Sequence, residues 1–276
     1  MTTAPAPSQP SPARLSIAEL QRRKDRGERF AVLTSYDQIT AGIFESAGID
    51  VLLVGDSAAN NVLGYPDTIS VTVDELLPLV RAVVRGTSHA LVIADLPFGS
   101  YQLSPQQALE TSLRFMKESG AHAVKFEGGV AVAQHARTVV DAGIPVVGHV
   151  GFTPQSVYGL GGYRVQGRGD DGDRIVNDAL ALQSAGVFAV VLEMVPADLA
   201  KQITAELSIP TIGVGAGADC DAQVLVWTDM AGFGSGHTPK FVKPYADLRG
   251  VLLDAATRYR DDVVSGSYPD ADHSYT

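Results

Sequence analysis

The stretch Ile49-Asp-Val-Leu-Leu-Val-Gly-Asp-Ser-Ala-Ala-Asn-Asn61 is a short apolar run that stops abruptly at Gly55, Asp56 and Ser57. Consecutive Val and Leu over so few positions predict a parallel strand buried on both faces. A carboxylate just past the C-terminal end of such a strand calls for an explanation. The pattern recurs in Ala90-Leu-Val-Ile-Ala-Asp95, in Ala123-Val-Lys-Phe-Glu127 and in Val187-Phe-Ala-Val-Val-Leu-Glu193. Four buried strands with acids at the same end describe one site, assembled from distant parts of the chain.

Outward from these runs, strands and helices alternate. The patterning predicts strands over residues 30–35, 50–55, 90–95, 123–127, 145–150, 187–193, 211–214 and 224–227. It predicts helices over 16–24, 39–46, 73–85, 105–119, 131–142, 172–185, 197–206 and 245–260. Ser16 with Glu19 three positions on has capping-box spacing, and Ala47-Gly48, Gly120, Gly143 and Gly186 supply helix stops. Only the span between the seventh and eighth strands is too short for a helix. Eight strands with intervening helices predict the α/β class and a (β/α)8 TIM barrel. Such a barrel typically takes about 250 residues, nearly all of the 276 present. A doubly wound open sheet is the rival and would gather ligands at the same strand ends; the count of eight favours the barrel. No linker divides residues 25–265, so 14–276 read as a single barrel domain. Residues 1–13, with Pro5, Pro7, Pro10 and Pro12, read as a disordered tail.

Composition narrows the function classes. The formal charge of −10 argues against a nucleic-acid partner. The basic cluster Arg22-Arg-Lys-Asp-Arg26 is diluted by Glu19, Asp25 and Glu28 and reads as a solvated helix face. The lone Cys220 permits neither an internal disulfide nor a multi-cysteine metal site, which fits a reducing cytosol. No apolar run approaches the ~18 residues of a membrane span, and the tail lacks the apolar region of a secretory signal. The tail has no acids, as a transit peptide would, but the dearth of Arg before Arg22 weighs against one; the expectation is a cytoplasmic protein.

Asp56, Asp95 and Glu127 lie where barrel active sites lie. Three converging carboxylates repel, and their pKa values rise. A divalent cation relieves that, and oxygen-only ligands suit Mg2+. Capping of the next helix, or pairing with Arg, explains any single acid equally well; for all three on successive strands the metal site is the stronger reading. Lys125 points the same way as Glu127, two residues on, so it would bind an anionic substrate group or balance the carboxylates. Glu193 closes an apolar run and precedes Met194, Val195 and Pro196. Apolar surroundings raise a carboxyl pKa toward the operating range of a general base; an ordinary strand-end acid is the even alternative. His149, ending the fifth strand, fits a ligand contact or a structural histidine. His89, His122, His135, His237 and His273 show no metal-ligand spacing, and the first three read as structural.

Gly159-Leu-Gly-Gly-Tyr-Arg-Val-Gln-Gly-Arg-Gly169 reads as a long loop on the active-site side, a lid whose Tyr163, Arg164 and Arg168 would touch a large co-substrate, or a flexible surface loop or subunit contact. Gly213-Val-Gly-Ala-Gly-Ala218 matches a dinucleotide fingerprint, but it comes late and opens no helix. Close backbone packing or a small-anion contact is the better reading.

At these residues the chain resembles the ketopantoate hydroxymethyltransferases. The likeness is carried by Leu-Thr-Ser-Tyr-Asp at 33–37, Val-Gly-Asp-Ser at 54–57, Ala-Asp-Leu-Pro-Phe-Gly-Ser-Tyr at 94–101 and Val-Lys-Phe-Glu-Gly-Gly at 124–129. It continues in Gly-His-Val-Gly-Phe-Thr-Pro-Gln at 148–155, Gly-Gly-Tyr-Arg-Val-Gln-Gly-Arg at 161–168 and Ile-Gly-Val-Gly-Ala-Gly at 212–217. The resemblance implies a barrel of the phosphoenolpyruvate/pyruvate-binding superfamily, usually a homodecamer. It implies Mg2+ held by Asp56, Asp95 and Glu127, keto-acid contacts from Asp56, Ser57, Asp95 and Lys125, and Glu193 as the proton acceptor. The implied reaction passes a one-carbon unit from 5,10-methylenetetrahydrofolate to 3-methyl-2-oxobutanoate. A metal-dependent 2-oxo-acid lyase of the same superfamily is the alternative, but the Lys-Lys-Cys-Gly-His segment such lyases typically carry is absent, and Cys220 follows strand seven instead. A non-catalytic metabolite-binding barrel and an NAD-dependent oxidoreductase built on Gly213–Ala218 are the readings from other classes.

Overall fold

The computed structural model of the chain describes residues 13–234, 236 and 238–275. Of the tail expected to be disordered, residues 1–12 lie outside them. Eight strands close into one parallel barrel in sequence order: β1 (Phe30–Thr34), β2 (Val51–Val54), β3 (Leu91–Asp95), β4 (Ala123–Glu127), β5 (Val146–Gly151), β6 (Ala189–Glu193), β7 (Thr211–Val214) and β8 (Ala222–Leu225). β8 pairs back onto β1 with Phe30 opposite Ala222, so the open sheet is excluded. The helices are α1 (Ile17–Asp25), α2 (Gln38–Ser46), the short α3 (Ala58–Asn61), α4 (Val73–Arg85), α5 (Pro105–Arg114), α6 (Ala133–Asp141), α7 (Gly172–Ser184), α8 (Ala197–Glu206), the short α9 (Trp227–Met230) and α10 (Leu248–Ser265). Backbone contacts divide the chain into two compact units, one ending at Leu225 and containing the barrel, the other beginning at Val226.

Local chemistry sets the element ends. Thr72 accepts from Glu75 N–H while the Glu75 carboxylate accepts from Thr72 N–H, a complete capping box on α4. Asp37 accepts from the N–H groups of Ile39 and Thr40 at the start of α2. α5 runs on as a π-turn over Phe115–Ser119 and stops at left-handed Gly120, φ 77°. No helix lies between β7 and β8, as the short span required.

Three expectations shift, the first being the last long helix, which spans Leu248–Ser265 and not 245–260. β8 pairs over Ala222–Leu225, two residues earlier than the apolar run 224–227 indicated. Asp221 Oδ2 accepts from Thr211 N–H at 2.8 Å, and Asp221 N–H donates to Thr211 Oγ1 at 3.2 Å. These bonds align the strand start at Ala222, and Trp227 already opens α9. The basic segment of α1 is less solvated than expected. Arg23 meets Asp50 at 2.7 Å and Lys24 meets Asp221 at 2.8 Å, while Leu20 is buried with Phe30 and Ala222 in the barrel core. α1 therefore covers the end of the barrel opposite the acids.

The barrel interior is filled. Val32, Leu53, Ile93, Lys125, Val147, Val191, Ile212 and Val224, one from each strand, surround a residual cavity of about 10 Å3. That space holds at most a single water, so the barrel is a packed core and not a pore. Lys125 is the one polar member of the layer, and above it the polar site begins.

Candidate active site

Strand alternation decides which side chains enter the mouth. With Ile93, Lys125, Val147 and Val191 facing inward, the period of two turns Asp95, Glu127, His149 and Glu193 inward one step higher. Register then sets neighbours: Asp95 lies opposite Lys125, Glu127 opposite His149, and Gly151 opposite Glu193. Asp56 follows β2 on the turn before α3. Its N–H points toward Asp95 Oδ2 at 3.4 Å. The structure thus gathers Asp56, Asp95, Lys125, Glu127, His149 and Glu193 at one mouth. Ser57 follows Asp56 directly in the chain, and the Tyr36 hydroxyl lies 2.8 Å from Ser57 Oγ.

The electrostatics are those of an acidic pit around one lysine. Lys125 Nζ meets Asp95 Oδ2 at 2.8 Å and lies 3.4 Å from His149 Nδ1. Burial works against the Lys125 ammonium, yet Asp95, Glu127 and Asp56 outweigh it and hold its pKa above the usual lysine range. Burial, then Asp95 and Glu127, pushes the Asp56 carboxyl well above the ordinary aspartate value. Burial also raises Asp95, against the pull of Lys125. His149 contacts acids from both ring nitrogens: Nδ1 is 3.5 Å from Glu127 Oε1, and Nε2 is 3.2 Å from Glu193 Oε2. The latter is an ion-pair approach and not an aligned hydrogen bond, since Nε2 has no hydrogen-bond partner. Burial and Lys125 depress the His149 pKa, and Glu127 and Glu193 more than restore it, to about 9.

Glu193 differs from the rest. Its side chain is 18% exposed, against 3% for His149, so it meets whatever enters the mouth. Its backbone is tightly held. Phe152 N–H donates to the Glu193 carbonyl at 2.8 Å, and the next residue, Met194, is the single described non-glycine residue with positive φ, 46°. Gly151 is required opposite it, because a Cβ there would run into the Glu193 carbonyl.

Two buried residues that carried no expected role complete the site. Gln155, in the turn after β5, donates from Nε2 to Asp56 Oδ2 and to the Leu96 carbonyl, both at 3.0 Å. Its N–H donates to Glu127 Oε2 at 3.0 Å. Tyr101 donates from its hydroxyl to Gln155 Oε1 at 2.8 Å and accepts from Glu127 N–H at 3.1 Å. Burial and the neighbouring Glu127 raise the Tyr101 phenol well above its usual pKa, so it stays a donor. Their sequence signal was position alone, in the stretches 94–101 and 148–155.

The glycine-rich loop lies beside the mouth. The Tyr163 ring packs on Phe152 at 4.9 Å, and burial followed by the Glu193 charge raises its phenol pKa. Arg164 and Arg168 are exposed. Tyr158 donates to Asp67 Oδ2 at 2.9 Å, joining this loop to the one after β2. The Gly213–Ala218 segment is built for close packing: a Cβ on Gly217, φ 79°, would collide with Ala197, and one on Gly213 with Cys220. His122 is structural, its Nδ1 accepting from Val92 N–H at 2.9 Å.

The donor set suits a hard divalent cation. It is oxygen-rich, and Asp95 Oδ1 and Glu127 Oε1 are buried without a hydrogen-bond partner. Among the described residues, no three acids or histidines are drawn together closely enough to enclose an ion as they stand.

Comparison with known proteins gives the family. The family model for ketopantoate hydroxymethyltransferase matches residues 14–271. The chain is 69% identical over 264 residues to the 3-methyl-2-oxobutanoate hydroxymethyltransferase of Acidothermus cellulolyticus, covering 96% of this chain and 97% of that one. It is 62% identical over 274 residues to the protein of the same name from Saccharopolyspora erythraea, covering 99% and 94%. Among solved structures it is similar to phosphonopyruvate hydrolase complexed with oxalate and Mg2+, with TM-score 0.61, 13% identity and coverage of 94% and 93%. It is also similar to 2,3-dimethylmalate lyase, a member of the PEP mutase/isocitrate lyase superfamily, with TM-score 0.58, 19% identity and coverage of 94% and 91%. At such identities the likeness reports the barrel type alone.

Proposed function

The chain belongs to the ketopantoate hydroxymethyltransferase family, and from that premise we propose that it transfers a hydroxymethyl group from 5,10-methylenetetrahydrofolate to 3-methyl-2-oxobutanoate, giving 2-dehydropantoate. The observation that carries the reading is Glu193, a partly exposed carboxylate over a closed layer of buried acids and one lysine. A 2-oxo acid needs a base at C3 and positive charge at its oxo-acid end, and the mouth offers both.

Asp56, Asp95 and Glu127 would hold Mg2+, which when bound draws electron density from the keto group and makes C3–H more acidic. Lys125, kept charged by the surrounding acids, contributes further positive charge for the substrate carboxylate, and Ser57 is in reach of the same end. Glu193 removes the C3 proton. His149 steadies it from below at 3.2 Å. Water opens the methylene bridge of the folate: both of its C–N bonds break, the two protons of the water end on the two nitrogens of tetrahydrofolate, and the one-carbon unit is set free at the formaldehyde level with the oxygen of the water. The enolate carbon then adds to that carbon, and the new alkoxide takes up the proton held by Glu193 to become the hydroxymethyl group of the product. Tyr163, Arg164 and Arg168 serve the folate. The active protein is a cytoplasmic homodecamer in this reading.

Proton removal precedes carbon–carbon bond formation, so it does not need folate. Wild-type protein with Mg2+ in D2O is expected to exchange the C3 proton of 3-methyl-2-oxobutanoate, followed by NMR. Glu193→Gln keeps size and polarity but cannot accept the proton. It should bind the keto acid and lose exchange by roughly 10²–10⁴. Exchange at the wild-type rate in the variant would assign the proton to another group.

A further inference from the structure

We propose that Gln155 is a positioning residue whose side chain orients the Asp56 carboxylate, beside the backbone N–H that holds Glu127, so that each acid keeps one oxygen without a hydrogen bond for a divalent cation; the inference rests on the metal reading above. Each of the three acids is bound by the protein through one oxygen; His149 Nδ1 also approaches Glu127 Oε1, at 3.5 Å, without a hydrogen bond to it. Asp56 Oδ2 accepts from Gln155 Nε2 at 3.0 Å, Glu127 Oε2 from Gln155 N–H at 3.0 Å, and Asp95 Oδ2 from Lys125 at 2.8 Å. The other oxygens are the ones left over. Asp95 Oδ1 and Glu127 Oε1 are buried without a hydrogen-bond partner, and no hydrogen bond reaches Asp56 Oδ1 among the described residues. Two of the three assignments are made by one residue, tying together acids that follow β2 and end β4.

The carboxamide has one workable orientation. Its two N–H bonds go to Asp56 Oδ2 and to the Leu96 carbonyl, the latter an acceptor only. Its Oε1 accepts from the Tyr101 hydroxyl at 2.8 Å and from Gln102 Nε2 at 3.2 Å. Turned around, the amide oxygen would face a carboxylate and a carbonyl. Gln155 is 4% exposed, so water does not stand in for a lost partner. Tyr101 thus acts through Gln155 as well as on the Glu127 backbone. Such partners of metal ligands typically govern metal affinity by 10–100-fold.

Titration calorimetry with Mn2+ alone, on the full chain without substrate, tests this apart from turnover. Gln155→Leu is expected to raise the Mn2+ Kd by about tenfold or more, with native circular dichroism. Tyr101→Phe, which removes only a hydroxyl, is expected to weaken Mn2+ binding several-fold and to add little when combined with Gln155→Leu. A residue that merely supports the fold would lower thermal stability and leave affinity unchanged in the folded fraction. Should Gln155→Leu fail to fold, Tyr101→Phe carries the decision by itself. Wild-type affinity within twofold in the folded variants overturns the inference while leaving the metal reading intact. A wild-type protein that binds no Mn2+ removes the metal reading, and this inference with it.

Discussion

Asp95 sits between two demands. It is the nearest partner of Lys125, and it keeps a buried oxygen without a hydrogen bond. Removing its charge leaves Lys125 among Asp56 and Glu127, still a net acidic setting, so the fold should survive. Asp95→Asn is therefore expected to unfold near the wild-type denaturant midpoint and to lose Mg2+-dependent keto-acid binding in calorimetry; undiminished binding would take Asp95 out of the site. A second residue sets a pH dependence of different origin. His122 Nδ1 accepts from Val92 N–H, and burial followed by Arg14 lowers its pKa from 6.5 to about 4. Above pH 6.5 the ring is neutral folded or unfolded, and it contributes nothing. Between 6.5 and 4 the unfolded chain takes up a proton that the native chain refuses, so stability falls as pH falls through that window. The full gap corresponds to about 3 kcal/mol, which the partial exposure of the ring reduces to about 1–2 kcal/mol. His122→Asn keeps an acceptor near Nδ1 and cannot titrate. Its stability in urea should fall less steeply from pH 6.5 to 4 than that of the wild type, and equal slopes would end this account. The acids and Lys125 were legible in sequence because each interrupts or ends an apolar run, where a charge stands out. Gln155 and Tyr101 interrupt nothing. They lie in polar turns, and their importance comes from contacts between strands that sequence spacing does not encode.

At the level of elements, the strands were readable because a barrel buries both faces of its sheet, leaving short apolar runs bounded by polar turns. α4 and α8 were readable at both ends, spanning Val73–Arg85 and Ala197–Glu206 where the patterning placed them. β8 was misplaced by two residues because apolarity continues past it; Asp221 and Thr211 define its start through hydrogen bonds. α10 was expected over 245–260 and instead spans Leu248–Ser265, where Asp247 accepts from Gly250 N–H and Gly266 stops it. The loop 159–169 is the element whose role can be tested separately from the acids. It brings an aromatic ring that packs on Phe152 and feels the Glu193 charge, and it carries two exposed arginines, features suited to a large anionic, aromatic co-substrate. Replacing Tyr163 and Arg164 together with Ala is expected to raise the KM for folate at least several-fold and to change the keto-acid KM little. Steady-state kinetics with each substrate varied will tell, and a larger effect on the keto acid would reassign the loop.

At the scale of the whole molecule, the barrel and the unit beginning at Val226 pose different problems. The interior of the barrel is packed, down to a residual cavity of about 10 Å3. α10 has no buried residue along its 18 positions. Leu253 is 66% exposed and Val264 81% exposed, and Val251, Leu252 and Val263 are exposed beside them on the same helix. A helix of this length holding so many uncovered apolar side chains gains little from tertiary burial. If the chain forms the decamer proposed above, a second copy is expected to cover it. A single chain has a mass of 29.0 kDa, so a closed assembly of ten should sediment at about 290 kDa. Leu253→Asp with Val264→Asp places charges where a contact would exclude water, and breaking such contacts should yield smaller species. Because neither residue belongs to the barrel unit, far-ultraviolet dichroism should remain native. Sedimentation velocity at micromolar concentration decides: an unchanged mass in the double variant frees α10 of the assembly, and a wild type at 29.0 kDa removes the assembly itself.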